Sequence, residues 1–132
     1  MNIAYIMRGV PGSGKSTVAK LLKGKHGAIY STDNYFCKEG VYYFNPTHLE
    51  RYHRENFNAF SFAVKHGIHV VICDNTNVKL EHYEPYARVA REAGYLVVIV
   101  ILPHPDPHVA AMGNEHGVPE YSIRKMIANW EP

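Results

Sequence analysis

The sequence is poor in cysteine, in long apolar runs and in net charge. Two cysteines, Cys37 and Cys73, in 132 residues are too few for the disulfide framework of a small secreted domain. No apolar run approaches the roughly 20 residues of a membrane-spanning helix, and no charged leader with an apolar segment opens the chain. A formal net charge of +2 does not by itself indicate nucleic-acid binding. These absences predict one soluble, cytoplasmic domain over residues 1–132 without membrane contact.

A glycine-rich stretch near the start carries the most specific motif. Residues 9–16 read G-V-P-G-S-G-K-S and match G-x-x-x-x-G-K-[ST]. A strand-like run precedes the motif and a helical run follows it, which is the context that a phosphate-binding loop requires. In such a loop backbone N–H groups turn toward the phosphates, and the helix N-terminus adds partial positive charge. The motif therefore predicts a site for ATP or GTP with Mg²⁺, formed by Gly12, Ser13, Gly14, Lys15, Ser16 and Thr17. Lys15 is expected on the outer phosphates, and Ser16 on the metal.

Apolar runs and helical patterns alternate along the whole chain. Strands are predicted at about 2–8, 28–31, 69–73 and 95–102, and helices at about 15–24, 46–67, 80–94, 106–112 and 119–129. The second helix is opened either by Asn45 with Pro46 after it, or by a capping box from Thr47 to Glu50. The alternation predicts an α/β fold, a three-layer P-loop fold whose parallel sheet has four or five strands. Ligands of such folds bind at the carboxyl ends of the strands.

Two aspartates follow predicted strands on that side. Asp33 stands just past the second strand, where a carboxylate could accept the proton of an attacking hydroxyl. Asp74 ends the apolar run of the third strand, which is the pattern of an acid that holds Mg²⁺. For both residues the alternative is a turn-forming role, which Asp and Asn often have at the surface. The sequence leaves these alternatives open.

With these residues in view, the sequence resembles the phage-type 5′-hydroxyl polynucleotide kinases and a wider group of small polynucleotide-kinase-like P-loop proteins. The resemblance extends from Ile3 to about Trp130 through the motifs G-V-P-G-S-G-K-S-T, S-T-D-N-Y-F, D-N-T-N and N-E-H-G-V-P. It implies that Lys15 and Ser16 bind the triphosphate and Mg²⁺, and that Asp33 activates the acceptor hydroxyl. It also implies a lid over the nucleotide at about 104–119, with Asn114 at the nucleotide and Thr76 at the substrate.

The sequence departs from that pattern at two arginine positions. Phe36 stands three positions after Asp33, where the polynucleotide kinases have an arginine that grips the acceptor phosphate. Gly113 precedes Asn114, where they have a catalytic lid arginine. An arginine on the transferring phosphoryl group contributes about 10³–10⁵ in rate, so both departures bear on activity.

The lid segment has no lysine or arginine, because none lies between Arg91 and Arg124. Its only cation candidates are histidines, which are poor substitutes near neutral pH: His104, His108 and His116. Three alternatives stay open. An arginine reaches in from a helix (Arg124, Arg54 or Arg51), a partner supplies the charge, or catalysis is slow. Arg124 is included among the predicted nucleotide-binding residues.

The segment from 30 to 62 is rich in aromatic residues. Those on the second helix follow helical spacing and are predicted to fill the core: Phe57, Phe60 and Phe62. Those before it lie beside the expected acceptor site: Tyr35, Phe36, Tyr42 and Tyr43. They either stack on the bases of a single strand or pack within the loop. The predicted substrate residues are Asp33, Tyr35, Phe36, Arg54 and Thr76.

These patterns predict a Mg²⁺- and ATP-dependent kinase that transfers the γ-phosphoryl group to a hydroxyl. Lys15 and Asp33 are the predicted catalytic residues, and Ser16 and Asp74 the predicted metal ligands. The favoured acceptor is the 5′ end of single-stranded DNA or RNA. One alternative acceptor is a small molecule, a nucleoside or a modified base in DNA. The other alternative is a nucleotide-binding module with little transferase activity, since the lid lacks an arginine.

Overall fold

The computed structural model describes all residues from 1 to 132. Its strands are β1 (Ile3–Arg8), β2 (Ala28–Tyr30), β3 (Cys37–Lys38), β4 (Val41–Tyr42), β5 (Val70–Cys73) and β6 (Leu96–Ile101). Its helices are α1 (Lys15–Lys23), α2 (Leu49–Lys65), α3 (Leu80–Glu92), α4 (Pro107–Gly113) and α5 (Glu120–Ala128). Four parallel strands form the central sheet in the order β2-β5-β1-β6. The predicted α/β fold is confirmed, with four strands in the parallel sheet rather than five.

The sheet is covered by helices on both faces. Helices α2 and α3 pack on one face, where Phe60 and Tyr86 meet edge to face at a centroid distance of 5.1 Å. Helix α1 packs on the other face through Ala19. Helices α4 and α5 form a smaller cluster with Val10 and Ile123 at its centre. No helix in the structure has both the length and the apolar character that crossing a membrane requires.

The register of the sheet determines which loops meet at its carboxyl edge. Tyr30 of β2 is paired with Cys73 of β5, and the backbone N–H of Asp74 donates to the carbonyl of Tyr30 at 2.9 Å. The residues that follow these two strands therefore leave the sheet side by side. Cys73 is fully buried, as predicted, and burial raises the pKa of its thiol to about 12.

The second helix begins later than the sequence predicts. Asn45 accepts a hydrogen bond from the backbone N–H of Thr47, which confirms it as a cap, but the turn it caps is a 3₁₀ turn over Pro46–His48. Helix α2 starts at Leu49 without a side-chain cap. The capping box from Thr47 to Glu50 is therefore wrong, because the Thr47 hydroxyl bonds to Asn45 instead.

The loop around Lys38-Glu39-Gly40 contains a short hairpin that the sequence analysis missed. Strands β3 and β4 pair antiparallel, and the two residues between them, Glu39 and Gly40, both have positive φ, at 51° and 80°. A two-residue turn with positive φ at both positions matches the twist of a hairpin. Strands of only two residues are too short for an alternating pattern to be detected.

Arg8 gives a prediction about stability. Only 1% of it is exposed, and its guanidinium donates to the carbonyls of Asn77 and Val78 at 2.8 and 3.0 Å. It also lies over the rings of Tyr83 and Trp130, at 4.7 and 4.4 Å from the centroids. Arg8→Met leaves buried carbonyls without donors, so we expect a loss of about 3 kcal/mol in the free energy of unfolding.

Urea denaturation measures this loss. The control is Arg88→Met, which removes an exposed arginine that faces Glu84 at 3.9 Å and should change stability by less than about 0.5 kcal/mol. Equal effects of the two substitutions would contradict the structural role of Arg8.

Candidate functional site

The phosphate loop follows β1 and leads into α1. Gly12 and Gly14 have φ of +84° and +89°, in the left-handed region where glycine carries no Cβ penalty. A Cβ on Gly12 would lie 2.8 Å from the Cβ of Ala110 in α4, so the loop packs closely against that helix. Gly14 precedes α1, and no side chain caps the helix. The first N–H groups of α1 are therefore free to bind an anion.

Two observations fit this loop to a polyphosphate. The hydroxyl oxygen of Ser13 is buried and has no hydrogen-bond partner within the protein, and such orphaned groups usually find a partner in a ligand or water. No atom lies within 4 Å of the position that a Cβ of Gly14 would take, which leaves open space beside the loop. Thr17 is exposed in the first turn of α1, close to the N-terminus of that helix.

Lys15, Ser16 and Asp74 form a contact cluster behind the loop. The Lys15 ammonium lies 2.8 Å from Oδ1 of Asp74, and the Ser16 hydroxyl donates to Oδ2 at 3.1 Å. Both partners of the ion pair are largely buried, at 12% and 6% exposed. The Asp74 side chain therefore contacts the phosphate loop and is not engaged in forming a turn. A hydroxyl and a carboxylate are the oxygen ligands that Mg²⁺ prefers, so this pair fits the predicted metal.

Asp33 lies in a 3₁₀ turn, Thr32–Phe36, directly after β2. The Tyr42 hydroxyl donates to its Oδ1 at 3.2 Å, and Nε2 of His116 lies 3.7 Å from Oδ2. The side chain is 47% exposed, so a substrate group can still reach it. No backbone N–H is bonded to the carboxylate, which argues against the turn-forming alternative. Burial, followed by the nearby Asp33 charge, raises the pKa of Tyr42 above its ordinary value.

Asn75 and His53 support the turn that carries Asp33. Asn75 accepts the backbone N–H of Thr32 at 2.9 Å, and the Thr32 hydroxyl lies 2.9 Å from Nδ1 of His53. Burial and then the nearby His82 lower the pKa of His53, against an opposing effect of Asp33. These contacts tie the end of β2 to the end of β5 and to α2.

The segment predicted to form a lid contains α4 and residues 114–119, which are called the lid loop below. Of the two predicted nucleotide ligands beyond the phosphate loop, Asn114 lies at the start of the lid loop and Arg124 lies on α5. The side-chain amide of Asn114 donates to the carbonyls of Ala110 and Val118, both at 2.9 Å, and its oxygen accepts the N–H of Val118 at 2.8 Å. Asn114 therefore stabilises the conformation of the lid loop, and both polar atoms of its side chain have partners within the protein. Arg124 donates to Glu120 at 2.7 Å and is 60% exposed. Its guanidinium therefore pairs with Glu120 on the exposed face of α5.

An aromatic cavity of about 360 Å³ lies beside the hairpin. It is lined by Tyr35, Phe36, Lys38, Tyr43, Asn45, His48 and Tyr52. Tyr35 and Tyr52 stack at a centroid distance of 5.6 Å. Phe36 is only 3% exposed, so it forms part of the cavity floor and cannot stand out as a free stacking platform.

The remaining aromatic predictions divide in two. Phe60 is fully buried and Phe57 packs against the core, as predicted. Phe62 was predicted to be buried and is 64% exposed, stacked on His66 at 4.0 Å. Helical spacing alone did not show that Phe62 lies beside the core-facing side of α2 and not on it.

A second cavity of about 570 Å³, lined mostly by residues of polar type and called the polar cavity below, lies between α2 and α3. It contains the two remaining predicted substrate residues, Arg54 and Thr76, together with His53 and Asn77. Oδ1 of Asn77 is buried without a partner. Arg54 faces Glu50 at 3.9 Å, so its charge is partly compensated. The predicted substrate residues are thus divided: Tyr35 and Phe36 line the aromatic cavity, Arg54 and Thr76 line the second, and Asp33 lines neither.

The contacts of Tyr42 and His116 with Asp33 were not predicted. Tyr42 was predicted only to lie beside the acceptor site with three other aromatic residues, and His116 was noted only as one of three lid histidines. No local pattern links positions 33, 42 and 116, because their contacts arise from the packing of the hairpin against the lid loop.

Comparison with known proteins places the chain among P-loop proteins. A family model described as an AAA domain, AAA_33, matches residues 5–114. Among curated proteins, human NEDD4-binding protein 2 is 33% identical over 137 residues, which covers 98% of this chain and 8% of that protein. The chain therefore spans a small part of the length of the relative it matches.

Solved structures show the same fold. The structure of the Pnkp1/Rnl/Hen1 RNA repair complex contains a chain that superposes with a TM-score of 0.70 at 19% identity, over 97% of this chain and 43% of that one. Chaetomium thermophilum Kti12 in complex with ADP-AlF3 gives a TM-score of 0.65 at 15% identity, over 98% of this chain and 80% of that one.

Proposed function

Since the chain belongs to the AAA domain family AAA_33, a family of P-loop kinase-like domains, we propose that it is a Mg²⁺- and ATP-dependent kinase that phosphorylates the 5′-hydroxyl of a polynucleotide. The observation that carries this proposal is the convergence of Lys15, Ser16 and Asp74 behind a phosphate loop, with the exposed carboxylate of Asp33 beside them on the same sheet edge. The coarser conclusion, a nucleotide-binding domain of P-loop kinase type, follows from the family and the fold.

The donor side uses the phosphate loop. The loop amides and the N-terminus of α1 bind the phosphates, and Lys15 moves from Asp74 to the outer phosphate oxygens when they enter. Ser16 and Asp74 are the residues that would hold Mg²⁺, which would supply positive charge to the transferring group. These groups stabilise the charge that develops during transfer, which is the largest catalytic contribution in phosphoryl transfer.

The acceptor side uses Asp33. Its carboxylate takes the proton of the attacking hydroxyl while the oxygen attacks the γ-phosphorus in line with the leaving group. About half of the side chain is open to solvent, so the acceptor can approach it without displacing the fold.

The aromatic cavity supports a polynucleotide as the acceptor. It adjoins the turn and hairpin that carry Asp33 and Tyr42, and it offers the rings of Tyr35 and Tyr52 with the cation of Lys38. Aromatic side chains stack on bases with little sequence preference, and a nearby cation attracts the backbone. A neighbour that belongs to an RNA repair complex is consistent with this acceptor.

A second candidate acceptor is a small polyhydroxyl molecule or nucleoside in the polar cavity. This alternative is favoured by the size of that cavity, about 570 Å³, and by the unpartnered Oδ1 of Asn77. Only Arg54 offers a full positive charge there, and it faces Glu50. The cavity therefore suits a neutral acceptor better than a phosphate-bearing one.

A transfer assay with γ-labelled ATP and labelled GTP, run in parallel, tests the proposal. The acceptors are a 5′-hydroxyl DNA oligonucleotide, its RNA counterpart, a mixture of nucleosides, gluconate and water. Label on an oligonucleotide supports the proposed function, and a 5′-phosphorylated oligonucleotide serves as the blocked control. Label on nucleosides or gluconate alone favours the second candidate. Tight ATP binding without transfer to any acceptor indicates a nucleotide-binding module whose lid lacks the necessary cation.

A further inference from the structure

Both carboxylate oxygens of Asp33 face side chains from other parts of the chain. Tyr42, on β4, donates its hydroxyl to Oδ1 at 3.2 Å. His116, on the lid loop, places Nε2 at 3.7 Å from Oδ2. The carboxylate thus lies between the hairpin and the lid, and its orientation depends on both.

The His116 ring is oriented by only two contacts. It stacks on the Tyr42 ring at a centroid distance of 4.1 Å and an interplanar angle of 25°. Its Nδ1 is buried and has no partner in the protein. Nothing on the Nδ1 side fixes the ring, so the Tyr42 stack and the Asp33 contact together determine where Nε2 points.

We propose that His116 is a positioning residue of the phosphoryl transfer: it presents its Nε2–H to Asp33 and, with Tyr42, holds the carboxylate turned toward the acceptor hydroxyl. This inference rests on the proposed function. A base held in the reactive orientation lowers the entropic part of the barrier. The present 3.7 Å separation is longer than a hydrogen bond, and such contacts tighten when the substrate complex forms.

The position of His116 also couples the base to the lid. Asn114 holds the lid loop in shape through Val118, and His116 projects from that loop onto the hairpin. Gly12 of the phosphate loop packs on Ala110 of the same lid. The predicted lid therefore contacts the phosphate loop through Ala110 and the base through His116, so one segment touches both sides of the proposed reaction.

Two substitutions at His116 separate the contribution of its N–H donor from that of its ring stacking on Tyr42. His116→Phe retains an aromatic ring on Tyr42 but has no N–H, whereas His116→Gln retains a donor without the ring. We expect His116→Phe to lower kcat by about 10- to 100-fold through misorientation of the base. Its KM for ATP should stay within about two-fold, since the loss falls in the transition state. His116→Gln should recover part of the lost kcat.

The control is His108→Phe. His108 lies in the same lid but faces Glu120 at 2.9 Å, so kcat should stay near the wild-type value. Hydrogen exchange at the Val118 amide reports on the lid loop itself, because that N–H donates to Asn114. In His116→Phe the exchange rate should be unchanged, which would exclude a general loosening of the loop as the cause.

The outcomes distinguish this inference from the proposed function. If the wild-type protein transfers phosphoryl groups and His116→Phe retains wild-type kcat, the positioning role is overturned while the proposed function stands. A loss in His116→Phe that accompanies faster Val118 exchange and no recovery in His116→Gln also overturns it, in favour of a structural role. If the wild-type protein transfers to no acceptor, the proposed function fails and the positioning role fails with it.

Discussion

Replacing Asp33 with asparagine is expected to lower kcat by about 10²–10⁴-fold, the usual contribution of a general base. The amide has nearly the same shape but cannot take the proton of the acceptor hydroxyl. Asp33 lies outside the phosphate loop, so ATP affinity should be close to that of the wild type.

Because the Asp33 side chain is 47% exposed, the free energy of unfolding should change by less than about 1 kcal/mol. Steady-state kinetics with the preferred acceptor and calorimetry with ATP measure the two effects separately.

Glu39→Gln is the matched control. It neutralises an exposed carboxylate in the turn of the hairpin that follows Asp33, so it tests whether loss of negative charge near the hairpin is enough to reduce transfer. Wild-type activity in this control is expected. A variant Asp33→Asn that keeps full activity would show that another group accepts the proton.

Replacing Lys15 with methionine is expected to remove a charge-stabilising donor, which lowers kcat by about 10²–10³-fold, and to weaken ATP binding. The substitution also leaves the carboxylate of Asp74, which is 6% exposed, without its cation. A buried charge that loses its partner costs about 3–5 kcal/mol of stability, although the Ser16 hydroxyl still donates to it.

The double variant Lys15→Met/Asp74→Asn separates the two roles of the lysine. With the buried charge removed, thermal or urea denaturation should show stability close to that of the wild type, while transfer remains lost. Lys20→Met, an exposed change on the same helix, should affect neither. Recovery of transfer in the double variant would contradict the direct role of Lys15 at the phosphates.

The fold was predictable because its signals are local. The donor half of the site was proposed from one contiguous motif and from the place of Asp74 at the end of a strand, since the carboxyl ends of parallel strands meet at one edge of the sheet. The Asn45 cap was likewise readable, since it depends on residues two positions apart.

The acceptor half was predicted less well because it depends on packing between distant segments. Asp33 was identified from its place after β2, but its neighbours at positions 42 and 116 come from the hairpin and the lid loop. Two-residue strands leave no periodic signal, and a histidine in a lid gives no indication of what it faces.

Asn114 and Arg124 both have partners within the protein that their predicted roles at the nucleotide did not anticipate. Asn114 was matched to a family motif, yet its amide is used to fold the lid loop. Arg124 was the first arginine after a long segment without one, yet Glu120 lies one helical turn before it and forms an ion pair with it. An (i, i+4) acid on the same face is readable from sequence and favours that pairing.

We propose that the phosphate loop presents the terminal phosphate of ATP to an acceptor hydroxyl that Asp33 activates. A crystal structure with Mg²⁺, a non-hydrolysable ATP analogue and a 5′-hydroxyl oligonucleotide measures this directly. We expect the γ-phosphate to contact Lys15, the metal to bind Ser16 and Asp74, and the 5′-oxygen to lie within hydrogen-bond distance of Asp33. A γ-phosphate bound elsewhere, or an acceptor oxygen bound away from Asp33, would contradict it.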